Sequence, residues 1–181
     1  MKIILISGKA QNGKDTTAEI LRSQLQADNH RVLITHYADL LKFICRNYFG
    51  WNGEKDDAGR QMLQYVGTDV IRKRNPTLWV DFVSMILKYF HENWDYAIIP
   101  DCRFPNEITA MSESGFETIH IRVVRENFKS PLTEEQQNHP SETALDGVAP
   151  DYYIRNDGTL DNLSDTITKW IKENLYGNDA A

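Results

Sequence analysis

The order of apolar runs along the chain predicts an α/β fold: a parallel five-stranded sheet flanked by helices. Three observations carry this. Short apolar runs of strand length recur five times, helical periodicity fills the intervals, and a glycine-containing turn joins the first run to the first helix. Ile3-Ile4-Leu5-Ile6 is a continuous apolar run ending at Ser7-Gly8, the pattern of a strand buried on both faces. Residues 14–27 follow with Ala18, Leu21 and Leu25 at helical spacing. The second strand is expected over 31–37, around Val32-Leu33-Ile34. The third, 96–99, stops at Pro100, which has no N–H to give to a ladder. Residues 118–124 and 152–154 supply the fourth and fifth. Helices are expected over 38–48, 58–73, 77–92, 104–114 and 160–175. The stretch 126–150 breaks the alternation: it is polar and holds three of the six prolines. A loop this long inside a compact chain commonly serves as a lid.

Composition narrows the class of protein. At 181 residues the chain is long enough for one domain with a substantial core, and a single domain over 1–181 is expected. Hydrophobic residues at 41% and charged residues at 25% are ordinary for a soluble globular protein. No apolar run approaches the roughly 20 residues of a membrane-crossing helix, and the apolar start is too short for a signal peptide. Twenty Lys and Arg against 26 Asp and Glu give a net charge of -6, a poor match for a nucleic-acid or membrane-surface binder. Cys45, Cys102 and five scattered histidines make neither a disulfide framework nor a zinc site, so a reducing, cytoplasmic setting is expected.

The chemistry begins at Gly8-Lys9-Ala10-Gln11-Asn12-Gly13-Lys14-Asp15-Thr16, which fits G-x-x-x-x-G-K between a buried strand and a helix. Glycines let the backbone wrap a phosphate at φ values other residues resist. The freed N–H groups and the helix N-terminus face the anion with positive charge, and Lys14 would lie against the β and γ phosphates. Asp15 stands where Ser or Thr is usual. A hydroxyl there touches Mg2+, whereas a carboxylate can hold the ion directly or through water. Thr16 and Thr17 are alternative hydroxyls.

A second anion site is indicated at Asp101 and Arg103, at the carboxyl end of the third strand, where open parallel sheets bind ligands. The acid suits Mg2+ or its waters, and the planar cation suits a phosphate. A helix-capping aspartate with a surface arginine fits the same residues, with Asn106-Glu107 as part of the turn. In 58–73, Arg60, Gln64, Thr68 and Arg72 recur every four positions on one face, opposite Met62, Leu63, Val66 and Val70. That stripe reads either as a solvated face or as a wall presenting two guanidiniums and an amide to a nucleotide. Gly67 costs about 1 kcal/mol relative to Ala in mid-helix, which points to close approach of some group. His139-Pro140-Ser141-Glu142 reads as a helix start within the polar segment, and Asn156-Asp157-Gly158 as a turn at the sheet's carboxyl edge.

These pieces, in order, resemble one family. Gly-Lys-Asp-Thr-Thr-Ala (13–18), Tyr-Ala-Asp-Leu-Leu-Lys (37–42), Leu-Gln-Tyr-Val-Gly-Thr-Asp-Val-Ile (63–71), Leu78-Trp79-Val80, Pro-Asp-Cys-Arg (100–103), His-Pro-Ser-Glu (139–142) and Arg-Asn-Asp-Gly-Thr-Leu (155–160) are similar to the deoxynucleoside monophosphate kinases of bacteriophages and their bacterial relatives. The resemblance covers nearly the whole chain and includes the Asp15 variant. It implies a P-loop nucleotide kinase fold with an acceptor-binding helical region over about 38–93 and a mobile lid over about 126–150. It also implies transfer of the γ-phosphoryl of ATP to a deoxynucleoside 5′-monophosphate with Mg2+. Carried over by motif, Gly8, Lys9, Ala10, Asn12, Gly13, Lys14, Asp15, Thr16 and Thr17 bind ATP, with Arg125 opening the lid and Asn156 near the adenine. Asp15, Thr16 and Asp101 serve the metal. Asp39, Lys42, Arg60, Gln64, Thr68, Arg72, Arg103 and Glu142 form the acceptor site, and Lys14, Asp101 and Arg103 are the catalytic set. Other small-molecule kinases of the same fold, of phosphomevalonate or dephospho-coenzyme A type, and a nucleotide-binding regulator remain alternatives. A homodimer through the helices of 58–92 is compatible with the pattern.

Overall fold

Apolar alternation in the first strand sorts the molecule into two layers. The computed structural model describes residues 1–54, 56–126 and 128–176. In it β1 (Lys2–Ser7) runs into α1 (Lys14–Ala27), which returns to β2 (Val32–Ile34). After β2 come α2 (Ala38–Tyr48), α3 (Asp57–Gln64), a π-helix (Tyr65–Arg72), α4 (Leu78–Tyr89) and a 3-10 turn (His91–Asn93). Then follow β3 (Tyr96–Ile99), α5 (Pro105–Glu113), β4 (Glu117–Val124), α6 (Glu134–Asn138), α7 (Pro140–Thr143), β5 (Tyr152–Arg155) and α8 (Leu160–Asn174). The five strands form one parallel sheet in the order β2-β3-β1-β4-β5. Lys2 pairs with Tyr96 on one side and Glu117 on the other, which puts β1 at the centre.

Ile3 and Leu5 face one layer, where Leu41 and Cys45 of α2, Val80, Val83 and Leu87 of α4 and Met111 of α5 bury them. Ile4 and Ile6 face the other, against Leu21 and Leu25 of α1 and Leu163, Ile167 and Ile171 of α8. Each wholly buried Leu or Ile contributes about 1.5–3 kcal/mol, so β1 is held from both sides. The loops after β1 and β3 therefore open side by side at the carboxyl edge, where the strand order reverses. No described helix is long and apolar enough to cross a membrane.

Two expectations need correction. The helix over 58–73 is α-helical only to Gln64 and continues as a π-helix, a form often found at functional sites. The close approach at Gly67 is internal packing: a Cβ there would sit 2.5 Å from Leu41 Cδ2, and the Trp79 indole donates to the Gly67 carbonyl at 3.2 Å. The polar segment is also less bare than expected. Thr133 caps α6 through the Gln136 N–H, and the His139 ring accepts from the Ser141 N–H at the start of α7.

Candidate active site

The phosphate-type loop is built by backbone that only certain residues tolerate. Gly8 has φ +144, and a Cβ there would lie 2.4 Å from the Val123 carbonyl oxygen, so β4 leaves no room for a side chain. Gly13 closes the loop at φ +94 and precedes the first turn of α1. Asn12 and Asn156 brace it: Asn12 Nδ2 donates to the Val123 carbonyl at 3.3 Å, and Asn156 Nδ2 to the Asn12 carbonyl at 3.0 Å. Lys14 curls back so that Nζ donates to the Gly8 and Lys9 carbonyls at 2.8 and 2.9 Å. Burial pulls its pKa down to about 8, and the charge of Arg103 adds to that, while Glu142, Asp15 and Asp101 oppose it.

Beside this loop opens a cavity of about 440 Å³. Ala10, Gln11, Lys14 and Asp15 form one wall. Arg60, Gln64, Thr68 and Arg72 form another, and Asp101, Arg103 and Glu142 close the space between. The Asp101 carboxylate accepts from the Tyr37 and Ala38 N–H groups at 2.9 and 3.0 Å, tying β3's loop to the start of α2. Arg103 Nη1 is ion-paired with Glu142 and donates to the Ser141 carbonyl at 2.8 Å. Arg72 stacks on Phe104, Cζ 3.8 Å from the ring centre, and its Nη2 meets Glu107 at 2.5 Å. Glu107 accepts in addition from the Arg103 and Phe104 N–H groups at 2.6 and 3.0 Å. Burial raises its pKa to about 6 in spite of Arg72. The Arg60 guanidinium also lines the cavity and has no hydrogen-bond or ion-pair partner among the described residues.

The structure brings most of the expected site together. Lys42 and Glu142 join Arg60, Gln64, Thr68, Arg72 and Arg103 on the cavity wall, so the polar stripe faces the cavity instead of bulk solvent. Asp39 stands behind, accepting from Lys42 Nζ at 3.2 Å and from the His36 N–H at 3.0 Å. Gly8, Lys9 and Asn12 line a second cavity of about 240 Å³ behind the loop. Thr16 is exposed and off both cavity walls, because α1 turns it away; Thr17 is buried, its hydroxyl without a hydrogen bond. Arg125 lies off both walls with Cζ 4.8 Å from the Phe128 ring centre, and Asn156 is spent on bracing the loop.

Several lining groups were not among the expected site residues, although Tyr37, Leu41, Leu63 and Trp79 fall in the motifs that carry the resemblance. Tyr37, Leu41, Leu63, Trp79 and Leu132 give the cavity apolar surface. His36 lies between Asp15 (3.6 Å) and Asp39 (3.5 Å); burial lowers its pKa, yet the two carboxylates outweigh that and raise it to about 9. It ends the run that starts with β2, so the carboxyl-edge rule applied to 31–37 locates it. Glu107 was visible only as a turn residue. Its reach to Arg72, 35 residues away, was not.

The oxygen donors fit Mg2+. Asp15, 75% exposed, points an acid into the cavity, and Asp101 faces the same space. One or two carboxylates plus phosphate oxygens suit an ion that keeps several of its waters.

An APS kinase of Mycobacterium tuberculosis superposes with a TM-score of 0.50 at 10% identity, over 95% of this chain and 97% of that one, which shows the fold. An uncharacterized protein of Ictalurid herpesvirus 1 (strain Auburn) is 27% identical over 169 residues, 93% of this chain and 69% of that protein. The deoxynucleotide monophosphate kinase of Enterobacteria phage T4 is 32% identical over 115 residues, 62% of this chain; the match spans 45% of the phage enzyme, less than half its length. Residues 43–167, which carry the Arg60–Arg72 wall, Asp101, Arg103 and Glu142, match the model of one family, and the chain belongs to it: the deoxynucleotide monophosphate kinases.

Proposed function

We propose that this chain transfers the γ-phosphoryl group of ATP to a deoxynucleoside 5′-monophosphate, giving the diphosphate and ADP. The observation that carries the reading is a single cavity with the loop and Lys14 on one wall and three arginines on the others. Two polyanions must meet there in line, and such a transfer asks the protein for positioning and preorganised positive charge. Loop N–H groups and Lys14 bind and orient the donor phosphates. Arg103 would grip the acceptor phosphate beside the path of transfer, and Arg60, with no partner among the described residues, adds a second cation for it. Gln64, Thr68 and Lys42 border the acceptor, and the apolar lining suits a base. Asp15 and Asp101 would hold Mg2+, which would supply positive charge against the charge on the phosphates. Thr16, exposed and off both cavity walls, lacks that support as a further ligand.

The reading takes 1–181 as one kinase domain, with 38–93 as the acceptor-binding region and 126–150 as the part that closes and excludes water. Leu132, Gln136 and Ser141 on the cavity wall support this role for the segment. A homodimer through the helices of 58–92 and a cytoplasmic setting belong to the same reading. Exposed Met85 and Tyr89 on α4 support the first, and two buried free cysteines support the second. The test is ADP release by the purified protein with ATP and Mg2+ against ribo- and deoxyribonucleoside monophosphates. Stimulation by deoxynucleotides is expected, and ATP binding without stimulation by any monophosphate overturns the reading.

A further inference from the structure

We propose that Glu142 couples the two substrate sites, because its carboxylate occupies anion-binding groups of both. The inference rests on the phosphotransfer reading above. One oxygen, Oε2, accepts from the Ala10 N–H of the loop at 3.0 Å, and the other is ion-paired with Arg103. The side chain is 7% exposed, so the carboxylate is a built part of the site and not a passing surface charge. Two clips hold its segment in place. Lys9 Nζ bonds the Glu142 carbonyl at 2.7 Å and Asp146 at 2.5 Å, and Arg122 Nη2 donates to the Leu145 and Val148 carbonyls, each at 2.7 Å.

A carboxylate and a phosphate oxygen cannot share the Ala10 N–H, and they repel at that range. Donor phosphates entering the loop therefore displace Glu142. Once it leaves, Arg103, its side chain 32% exposed, has lost its one ion pair among the described residues, with the charges of Asp101 and Glu107 left as weaker offsets. The acceptor phosphate then supplies the missing anion. The same steps run in reverse: an acceptor on Arg103 draws Glu142 off and bares the Ala10 N–H for the donor. Coupling of this kind is reciprocal, so each substrate tightens the other. Glu142 is a positioning residue acting through Arg103, which separates its role from that of the groups on the transferred phosphate.

The experiment is calorimetric binding of dAMP, dCMP, dGMP and dTMP, each in turn, to the full chain with and without a saturating non-hydrolysable ATP analogue and Mg2+. In the wild type the analogue tightens the acceptor by about tenfold, within the usual span of coupling between sites. In Glu142→Gln the acceptor binds the free protein nearly as tightly as it binds the wild-type ternary complex, and coupling falls below about twofold. Should that variant fail to fold, Glu142→Asp shortens the carboxylate so that it cannot reach both partners, and the same loss of coupling is required. Wild-type coupling retained in a folded variant, or absent in the wild type, overturns the proposal. A protein that binds the ATP analogue and none of the four monophosphates instead overturns the phosphotransfer reading itself.

Discussion

Acid should loosen the root of the phosphate loop through His120. The ring is buried in β4, 4% exposed, with Nε2 2.7 Å from the hydroxyl of Ser7, the residue before Gly8. Arg122 Nε donates to the same hydroxyl at 3.4 Å. Burial first, and then the Arg122 charge, bring the imidazole pKa down to about 4 from 6.5; Asp151, whose carboxylate accepts from the His120 backbone N–H at 2.8 Å, opposes this only in part. The folded state thus prefers the neutral ring. As pH falls through 6.5 the unfolded chain takes up a proton that the folded chain refuses until about 4. The stabilisation is complete above 6.5 and is lost between 6.5 and 4, at up to about 1.4 kcal/mol per pH unit and roughly 3 kcal/mol in all. The assay is urea denaturation at pH 7.5 and 4.5 of the wild type and of His120→Gln, whose amide can meet Ser7 but does not titrate. The wild type should lose roughly 2–3 kcal/mol more than the variant over that interval. Equal losses in the two proteins would refute the reasoning.

Two further outcomes follow from the site geometry. Gly8→Ala should cost about 1–3 kcal/mol of stability through backbone strain alone, and more through the clash with Val123, read as a fall in Tm together with loss of ATP binding. Arg60→Ala should raise KM for the monophosphate about tenfold with KM for ATP unchanged, whereas Arg103→Ala should lower kcat/KM by about 10²–10³-fold, the scale of losing one transition-state donor. Steady-state kinetics with each substrate varied separates the two; identical profiles would remove the assigned division of labour.

The sequence made the sheet legible because a strand buried on both faces must be continuously apolar, and Ile3–Ile6 has no other comfortable place. The loop was legible for a similar reason: Gly8 and Gly13 answer steric demands that act on single residues. The Arg60–Arg72 stripe kept its common face although half of it is π-helical, since a spacing of four stays close to one turn in either geometry. What stayed hidden depends on contacts between distant segments. Asp101 does cap a helix, as one reading of it held, but the helix is α2, more than 50 residues earlier in the chain. The partner of Arg103 is Glu142, 39 residues later, and no local pattern records that distance. Thr16 matched a motif by position, yet α1 directs it off the cavity wall.

The charge layout bears on how the site discriminates. Its cations are mostly satisfied before any substrate arrives: Lys14 by two carbonyls, Arg103 by Glu142, Arg72 by Glu107 and Lys42 by Asp39. In a chain with net charge -6, this keeps stray anions from a basic pocket that would otherwise attract them. Binding a phosphate then exchanges one anion for another, and the net gain is small unless the newcomer carries more charge or reaches more donors than a carboxylate does. A triphosphate spanning the Ala10 N–H and Lys14 meets that condition, and a lone inorganic phosphate does not. Arg60, without a partner among the described residues, is the exception, and it lines the wall proposed for the acceptor, where a monophosphate has only one anionic group to offer. On the proposed reading, Glu142 yields the Ala10 N–H to a triphosphate, while Arg60 leaves one guanidinium open to the single anionic group of a monophosphate.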